Sequence, residues 1–348
     1  MDKLKISPRF EYVSNIAWRL LVIAGVGALG VFLVIQLKIV VIPFLVGLLV
    51  TALLYSVVTW LTRKGMKRGL AVALSVVATL AVVGGLLFAV GKQVQYAYPT
   101  LQDQFVDSLN IARDTLSQEP FGVQVEELDK YIDDIVQYAQ ANADVFITGI
   151  STAGSTAGHF IAGVFLAVFA TIFLLLDGRK IWVWVVTLFP RALRERLSKA
   201  GEKGWSTLIN FVKSQIAVAG VDAVGIGVAA LLLQVPLAIP IAVLVFFGSF
   251  IPVVGAIITG TIAVVLALVF NGWLVAVLML AAVLLVQLIE GHVLQPFLMG
   301  KAVKIHPLAV VFAVAIGSLL AGIPGALFAV PIVAVANVMI ATLVKPTR

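Results

Sequence analysis

There is no cysteine in these 348 residues. Disulfides, thiolate-bound metals and a cysteine nucleophile are therefore excluded. Histidine is nearly as scarce, at three residues, which leaves little for a metal cluster. Charge is short as well: Asp, Glu, Lys and Arg make up 12% of the chain, against about 25% in a soluble domain. Such a chain cannot cover a water-facing surface of ordinary character. No His-Glu-x-x-His, no P-loop and no GxGxxG in a strand context occurs, so neither a cofactor nor an enzymatic activity is expected. What fills the sequence instead is apolar: 61% hydrophobic residues and a mean hydropathy of +1.12. The class is a polytopic membrane protein.

Crossing ~30 Å of hydrocarbon takes ~20 apolar residues at 1.5 Å each. Six runs meet that length, roughly 16–37, 39–60, 70–91, 156–176, 215–234 and 272–290. The first is too long for a signal-peptide core and is read as an anchor. The net charge is +7, but its placement matters more than its sum. Lys3, Lys5, Arg9 and Arg19 precede or open the first run, and Arg63, Lys64, Lys67 and Arg68 separate the second and third. Eight Lys/Arg lie in 177–213, and Lys301, Lys304, Lys345 and Arg348 mark the end of the chain. All fall on one side if both termini are cytoplasmic, as the excess of cations in cytoplasmic loops requires. Segment 92–150, with ten acidic and three basic residues, falls on the other side.

That insertion has Leu101, Phe105 and Leu109, then Leu128, Tyr131, Ile135 and Tyr138 at helical spacing. Pro99 and Glu119–Gly122 punctuate it. A solvated helical region explains it better than a partner surface. Segment 191–213 is basic and amphipathic, suited either to the inner leaflet or to a plain linker helix. Because the basic runs flank spans, no nucleic-acid partner is expected. His159 beside Ser155 invites an intramembrane-protease reading, but no complete motif accompanies it. Gly154, Gly158 and Gly163 fit close helix packing better.

Two apolar stretches, 236–270 and 307–343, are too long for one span and interrupted by glycine and proline. In the first, Pro236-Leu237-Ala238 is followed by Gly248-Ser249 and then Pro252 to Gly255. In the second, Pro307-Leu308-Ala309 is followed by Gly317-Ser318 and then Gly322-Ile323-Pro324-Gly325. The copies agree in order and nearly in spacing, which makes them a weak internal repeat. Proline breaks a helix and glycine relaxes its backbone. Lipid cannot satisfy the freed amides and carbonyls, so a break must face protein, water or a ligand. One such break is no more than a kink. Two at corresponding places point to a transport pathway, with Gly248, Ser249, Pro252, Gly255, Gly317, Ser318, Gly322, Pro324 and Gly325 beside it.

Asp222 lies inside the fifth run, where a charge is costly unless it meets a partner or water. It is read as a coupling residue or, equally, as a paired packing residue. Glu290 and His292 close the sixth run with Gly291, Gln295 and Pro296. A carboxylate beside an imidazole can exchange protons near neutral pH, so Asp222, Glu290 and His292 are candidates for ion or proton coupling. A hydrated helix end is the alternative at Glu290.

Together these residues resemble the AI-2E (autoinducer-2 exporter-like, also called PerM-like) family of membrane transporters. The resemblance rests on Leu175-Leu176-Asp177-Gly178-Arg179-Lys180, Val235 to Ala238, and Phe250 to Gly255. Glu290 to Pro296 with Gly300, and Gly322 to Gly325 with Pro331, complete it. It implies a homo-oligomeric bacterial inner-membrane protein of about eight membrane segments. Some relatives export autoinducer-2 and others exchange Na⁺ or Li⁺ for H⁺. The family's acidic-or-amide position maps to Glu290 and its proline to Pro296, although many relatives carry Asn or Asp where Glu290 stands.

The expectation is thus an all-α polytopic membrane protein with six full spans, two broken-helix hairpins and a small helical extracytoplasmic insertion. Its divisions are 1–91 (N-terminal helices), 92–150 (acidic insertion), 151–214 (fourth span and basic helix) and 215–348 (transport region). The expected function is secondary transport or export of a small polar solute, with autoinducer-2-like molecules the favoured cargo. Membrane lipids, the solute and Na⁺ or H⁺ are the expected partners. An Na⁺(Li⁺)/H⁺ antiporter and a non-transporting oligomeric scaffold are the alternatives.

Overall fold

The computed structural model of the chain describes residues 35–117, 153–251, 254–294 and 306–344, with scattered positions between 14 and 32. Part of the first apolar run, residues 118–150 of the insertion, and Pro252, Gln295 and Pro296 lie outside the described residues. Within them the protein is helical, with no strand. The helices are α1 (Lys38–Arg63), α2 (Arg68–Ser117), α3 (Ala153–Thr187), α4 (Arg191–Leu232), α5 (Ala238–Gly248), α6 (Val254–Asn271), α7 (Trp273–Ile289) and α8 (Pro307–Val344). A π-helical turn, Glu290–Leu294, continues α7. Among the described residues, seven helices are long and apolar enough to cross a membrane. The fold is a polytopic all-α membrane protein.

Two helices outrun the bilayer. The 50 residues of α2 extend about 75 Å at 1.5 Å per residue, so the third apolar run continues into the acidic insertion without a break. Pro99, expected to punctuate the insertion, lies inside this helix. A single missing backbone bond is a local cost, and the residues on either side carry the helix through it. In α4 the basic stretch and the fifth apolar run form one helix of 42 residues.

Helix α4 is the spine of the molecule. Its residues Leu208, Phe211, Gln215, Val218, Asp222, Ile226 and Ala230 are buried at spacings of three and four, one helical face. Toward its C-terminus, Ala223, Ile226 and Ala230 pack with Ile241 and Val245 of α5, Ala263 and Ala267 of α6, and Met279 and Val283 of α7. Toward its middle, Leu208, Phe211 and Val212 pack with Ala52 of α1 and Val314, Ala326, Ala329 and Val330 of α8. A third cluster joins Leu54 and Val58 of α1 to Val72 and Val76 of α2 and Leu175 of α3. Alanine recurs in these contacts because, between helices in lipid, close approach supplies the attraction that water exclusion supplies elsewhere. The Leu175 carbonyl also accepts from Arg68 Nε and Nη2, at 3.0 and 2.7 Å.

Both interrupted stretches fold back as hairpins. In the first, α5 ends at Gly248 and α6 begins at Val254, and a Cβ placed on Gly255 would collide with the Gly248 carbonyl. In the second, α8 is broken at Ala321 (φ −141°, ψ 18°) and Gly322 (φ 64°, ψ −145°). Across that break, a Cβ on Gly317 or Gly325 would collide with the other's carbonyl. Eight residues of straight helix separate their ends by about 12 Å, so this contact requires the chain to reverse. Pro324 follows in the first turn of the returning arm, where its missing amide has no intrahelical role. The entry to the first hairpin is strained: Gln234 (φ 56°) and Leu237 (φ 62°) are left-handed without being glycine. Asn271 Nδ2 donates to the Gln234 carbonyl at 3.2 Å and ties the two ends of that hairpin together.

Candidate functional site

Beside the first hairpin lies a cavity of about 510 Å³. Four walls supply its polar groups. Helix α4 contributes Gln215 and Asp222, two turns apart on one face. Ser249 comes from the hairpin tip and Thr261 from α6. Gln287 comes from α7, and Glu290 and Gly291 from the π-helical turn. Val218, Val264, Val265, Leu280, Val283 and Leu284 supply the apolar part.

Breaking a helix at Ser249 leaves carbonyls without partners, and α4 answers one of them. Gln215 Nε2 donates to the Ser249 carbonyl at 2.6 Å. The Ser249 hydroxyl lies 2.9 Å from Asp222 Oδ2 and 2.9 Å from the Val245 carbonyl. It has one proton for two acceptors. Donation to the Asp222 carboxylate pins the tip to α4. Donation to Val245 leaves the Asp222 contact dependent on a proton carried by Asp222 itself. Asp222 is 1% exposed, and its Oδ1 is buried with no hydrogen-bond partner. Thr259 Oγ1, on the α6 arm, is buried in the same condition. Unanswered polar atoms at this depth mark a place where a ligand or an ordered water belongs.

The structure divides the expected site residues into groups. Ser249, Asp222, Glu290 and Gly291 line the cavity together. Gly248 and Gly255 form the neck of the hairpin that walls it. His292 is outside the lining: it is exposed, and its Nδ1 lies 3.1 Å from the Leu288 carbonyl of its own helix. Pro252, Gln295 and Pro296 fall outside the described residues. Gly317, Ser318, Gly322, Pro324 and Gly325 belong to the second hairpin and are not part of the cavity wall. That hairpin packs on α1 and α4, and Ile251 from the first tip reaches the same cluster. Among the described residues, no three His, Asp or Glu side chains gather as metal ligands would.

Three features of the site escaped the sequence reading. Gln215 stands seven residues before Asp222, and that two-turn spacing was the available signal. Thr261 sits in an apolar run with nothing to distinguish it. The π-helical turn has no local signature, although such turns recur at functional sites.

A family model described as AI-2E family transporter matches residues 21–345. Over 337 residues the chain is 36% identical to the inferred transport protein MT0215 of Mycobacterium tuberculosis (strain CDC 1551 / Oshkosh), covering 97% of this chain and 92% of that protein. It is 25% identical over 315 residues to YrrI of Bacillus subtilis (strain 168), also named as an inferred transport protein, covering 87% and 86%. The AI-2 transport protein TqsA of Escherichia coli (strain K12) is 24% identical over 306 residues, covering 86% and 85%.

Proposed function

The chain belongs to the AI-2E transporter family, and from that premise we propose that it exports a small polar solute of the autoinducer-2 type through the cavity between α4, the first hairpin and α7. The observation that carries this reading is the convergence of Gln215, Asp222, Ser249, Gln287 and Glu290 on one cavity in a chain only 12% charged. Intramembrane carboxylates facing a cavity are substrate or coupling groups by default.

In this reading the chain sits in a bacterial inner membrane with both termini cytoplasmic, as its Lys and Arg placement favours. The Gln215 and Glu290 end of the cavity is then the cytoplasmic end, and solute enters from there. Release on the far side requires the first hairpin to move against α4, and the hydrogen bonds at Ser249 are the contacts that movement must exchange. Broken helices at a mid-membrane site serve alternating access in this way.

The test is accumulation of labelled autoinducer-2 by inverted vesicles that contain the protein. Uptake above that of empty vesicles, at least tenfold lower in Asp222→Asn, is expected. Uptake equal to that of empty vesicles overturns the proposal.

A further inference from the structure

A second, smaller cavity, of about 140 Å³, lies apart from the first, where α1 ends and α2 begins. Tyr55, Val58, Thr59 and Thr62 of α1 line it with Arg68, the first residue of α2, and Leu175 of α3. Both α1 and α2 are long and apolar enough to cross a membrane, so their junction marks one edge of the hydrocarbon, the level of the lipid headgroups. The bonds from Arg68 Nε and Nη2 to the Leu175 carbonyl join two lining residues and fix the guanidinium at the wall. They occupy one edge of a planar fork that carries five N–H groups. The Nη1 side of that fork makes no hydrogen bond or ion pair among the described residues.

Tyr55 is placed by its ring, which meets Trp205 of α4 edge-on at 5.9 Å. Its hydroxyl, too, has no hydrogen-bond partner among the described residues. Thr59 and Thr62 give their protons to carbonyls of α1, at 2.6 and 2.9 Å, so they offer the cavity acceptors only. No carboxylate lines it, and Asp177, just beyond Leu175, is ion-paired with Lys180 at 2.6 Å. Arg63, Lys64 and Lys67 precede Arg68 in the same turn of chain and add positive charge around it.

We propose that this recess binds a phosphate group, through the Nη1 side of Arg68 and the Tyr55 hydroxyl. A guanidinium matches two phosphate oxygens at once, which an ammonium does not. Basic recesses between membrane helices at headgroup level suit the phosphate of an anionic lipid, and a soluble phosphate offers the same oxygens. The inference is independent of what the larger cavity carries.

The test is the melting temperature of the detergent-purified full chain, titrated with short-chain phosphatidylglycerol and, separately, with inorganic phosphate. Physiological ionic strength screens loose surface attraction. A saturable rise with at least one probe is expected. In Arg68→Lys, which keeps the charge and loses the fork, the apparent Kd should weaken at least about tenfold, as charge-assisted hydrogen bonds are worth. In Tyr55→Phe, which keeps the ring against Trp205, it should weaken about threefold. Arg63→Gln combined with Lys67→Gln, outside the recess, should stay within about twofold. Saturation by the lipid alone assigns the phosphate to a headgroup, and saturation by inorganic phosphate assigns it to a soluble source. No saturable rise with either probe overturns the inference, as does a loss in the Arg63/Lys67 pair equal to that in Arg68→Lys. Unchanged affinity in Tyr55→Phe overturns it even if Arg68→Lys does not fold.

Discussion

The two hairpins carry one motif in two settings. Each has a Gly-Ser pair before its tip and a glycine after it. In each, the two glycines press backbone against backbone where a Cβ would not fit: Gly248 with Gly255, Gly317 with Gly325. Their surroundings differ. The first tip meets α4 at the polar level of its buried face, where Gln215 and Asp222 take up Ser249, and a cavity opens beside it. The second meets α4 nearer its N-terminus, at the apolar residues Leu208, Phe211 and Val212, and lies close-packed through Val314, Ala326 and Ala329. Its tip residues Leu319 and Ile323 are 87% and 75% exposed, facing outward from the fold. A break in a spanning helix is therefore a way to reverse the chain. It opens onto a polar cavity where the neighbouring helix offers polar groups to it.

The comparison breaks most sharply at the glycines. Gly255→Ala and Gly325→Ala each force a methyl against a facing carbonyl, and each is expected to destabilise the protein by about 3 kcal/mol, at the upper end of ordinary overpacking. Thermal unfolding in detergent, or the monodisperse fraction on gel filtration, reads this. If only one substitution is harmful, the hairpins are not equivalent devices.

Function should separate them next. Ser249→Ala removes a hydroxyl from the Asp222 carboxylate, a contact worth about 1.5–3 kcal/mol, and transport should fall several-fold or more. Ser318→Ala, at an exposed position outside the cavity, should change stability by less than about 0.5 kcal/mol and leave transport intact. Equal loss in both variants would place the second hairpin on the pathway as well.

Gln215→Leu leaves the Ser249 carbonyl without its donor, at a cost of about 1–3 kcal/mol for a buried unpaired group. Restoration of the melting temperature by Gln215→Asn would contradict this, because the shorter side chain does not reach. The smallest effect is expected at His292. It lies outside the cavity and turns its Nδ1 to its own helix, so His292→Ala should keep transport within twofold across pH 6 to 8.

Much of the fold could be read from runs and punctuation. Apolar lengths located α1, α2, α3 and α7, and Gly-Ser with Gly/Pro located both reversals, because lipid tolerates a broken backbone only where something else satisfies it. The continuity of α4 across residue 214 was not legible, since its basic half and its apolar half differ in composition while sharing one buried face. Of the site, Asp222, Ser249 and Glu290 were nameable as residues that do not belong in lipid. That they share a cavity, that Gln215 joins them, and that His292 does not, depends on rotations about helix axes that no local pattern records.

By itself, then, the amino-acid order determined that this protein lives in a membrane and where its chain turns back. Those properties follow from local hydrogen bonding and solvation, which each segment decides alone. Tertiary structure decided which of two similar turns faces a cavity and which carboxylate oxygen goes without a donor. Those depend on what stands opposite, and opposition is a property of packed helices rather than of any one of them.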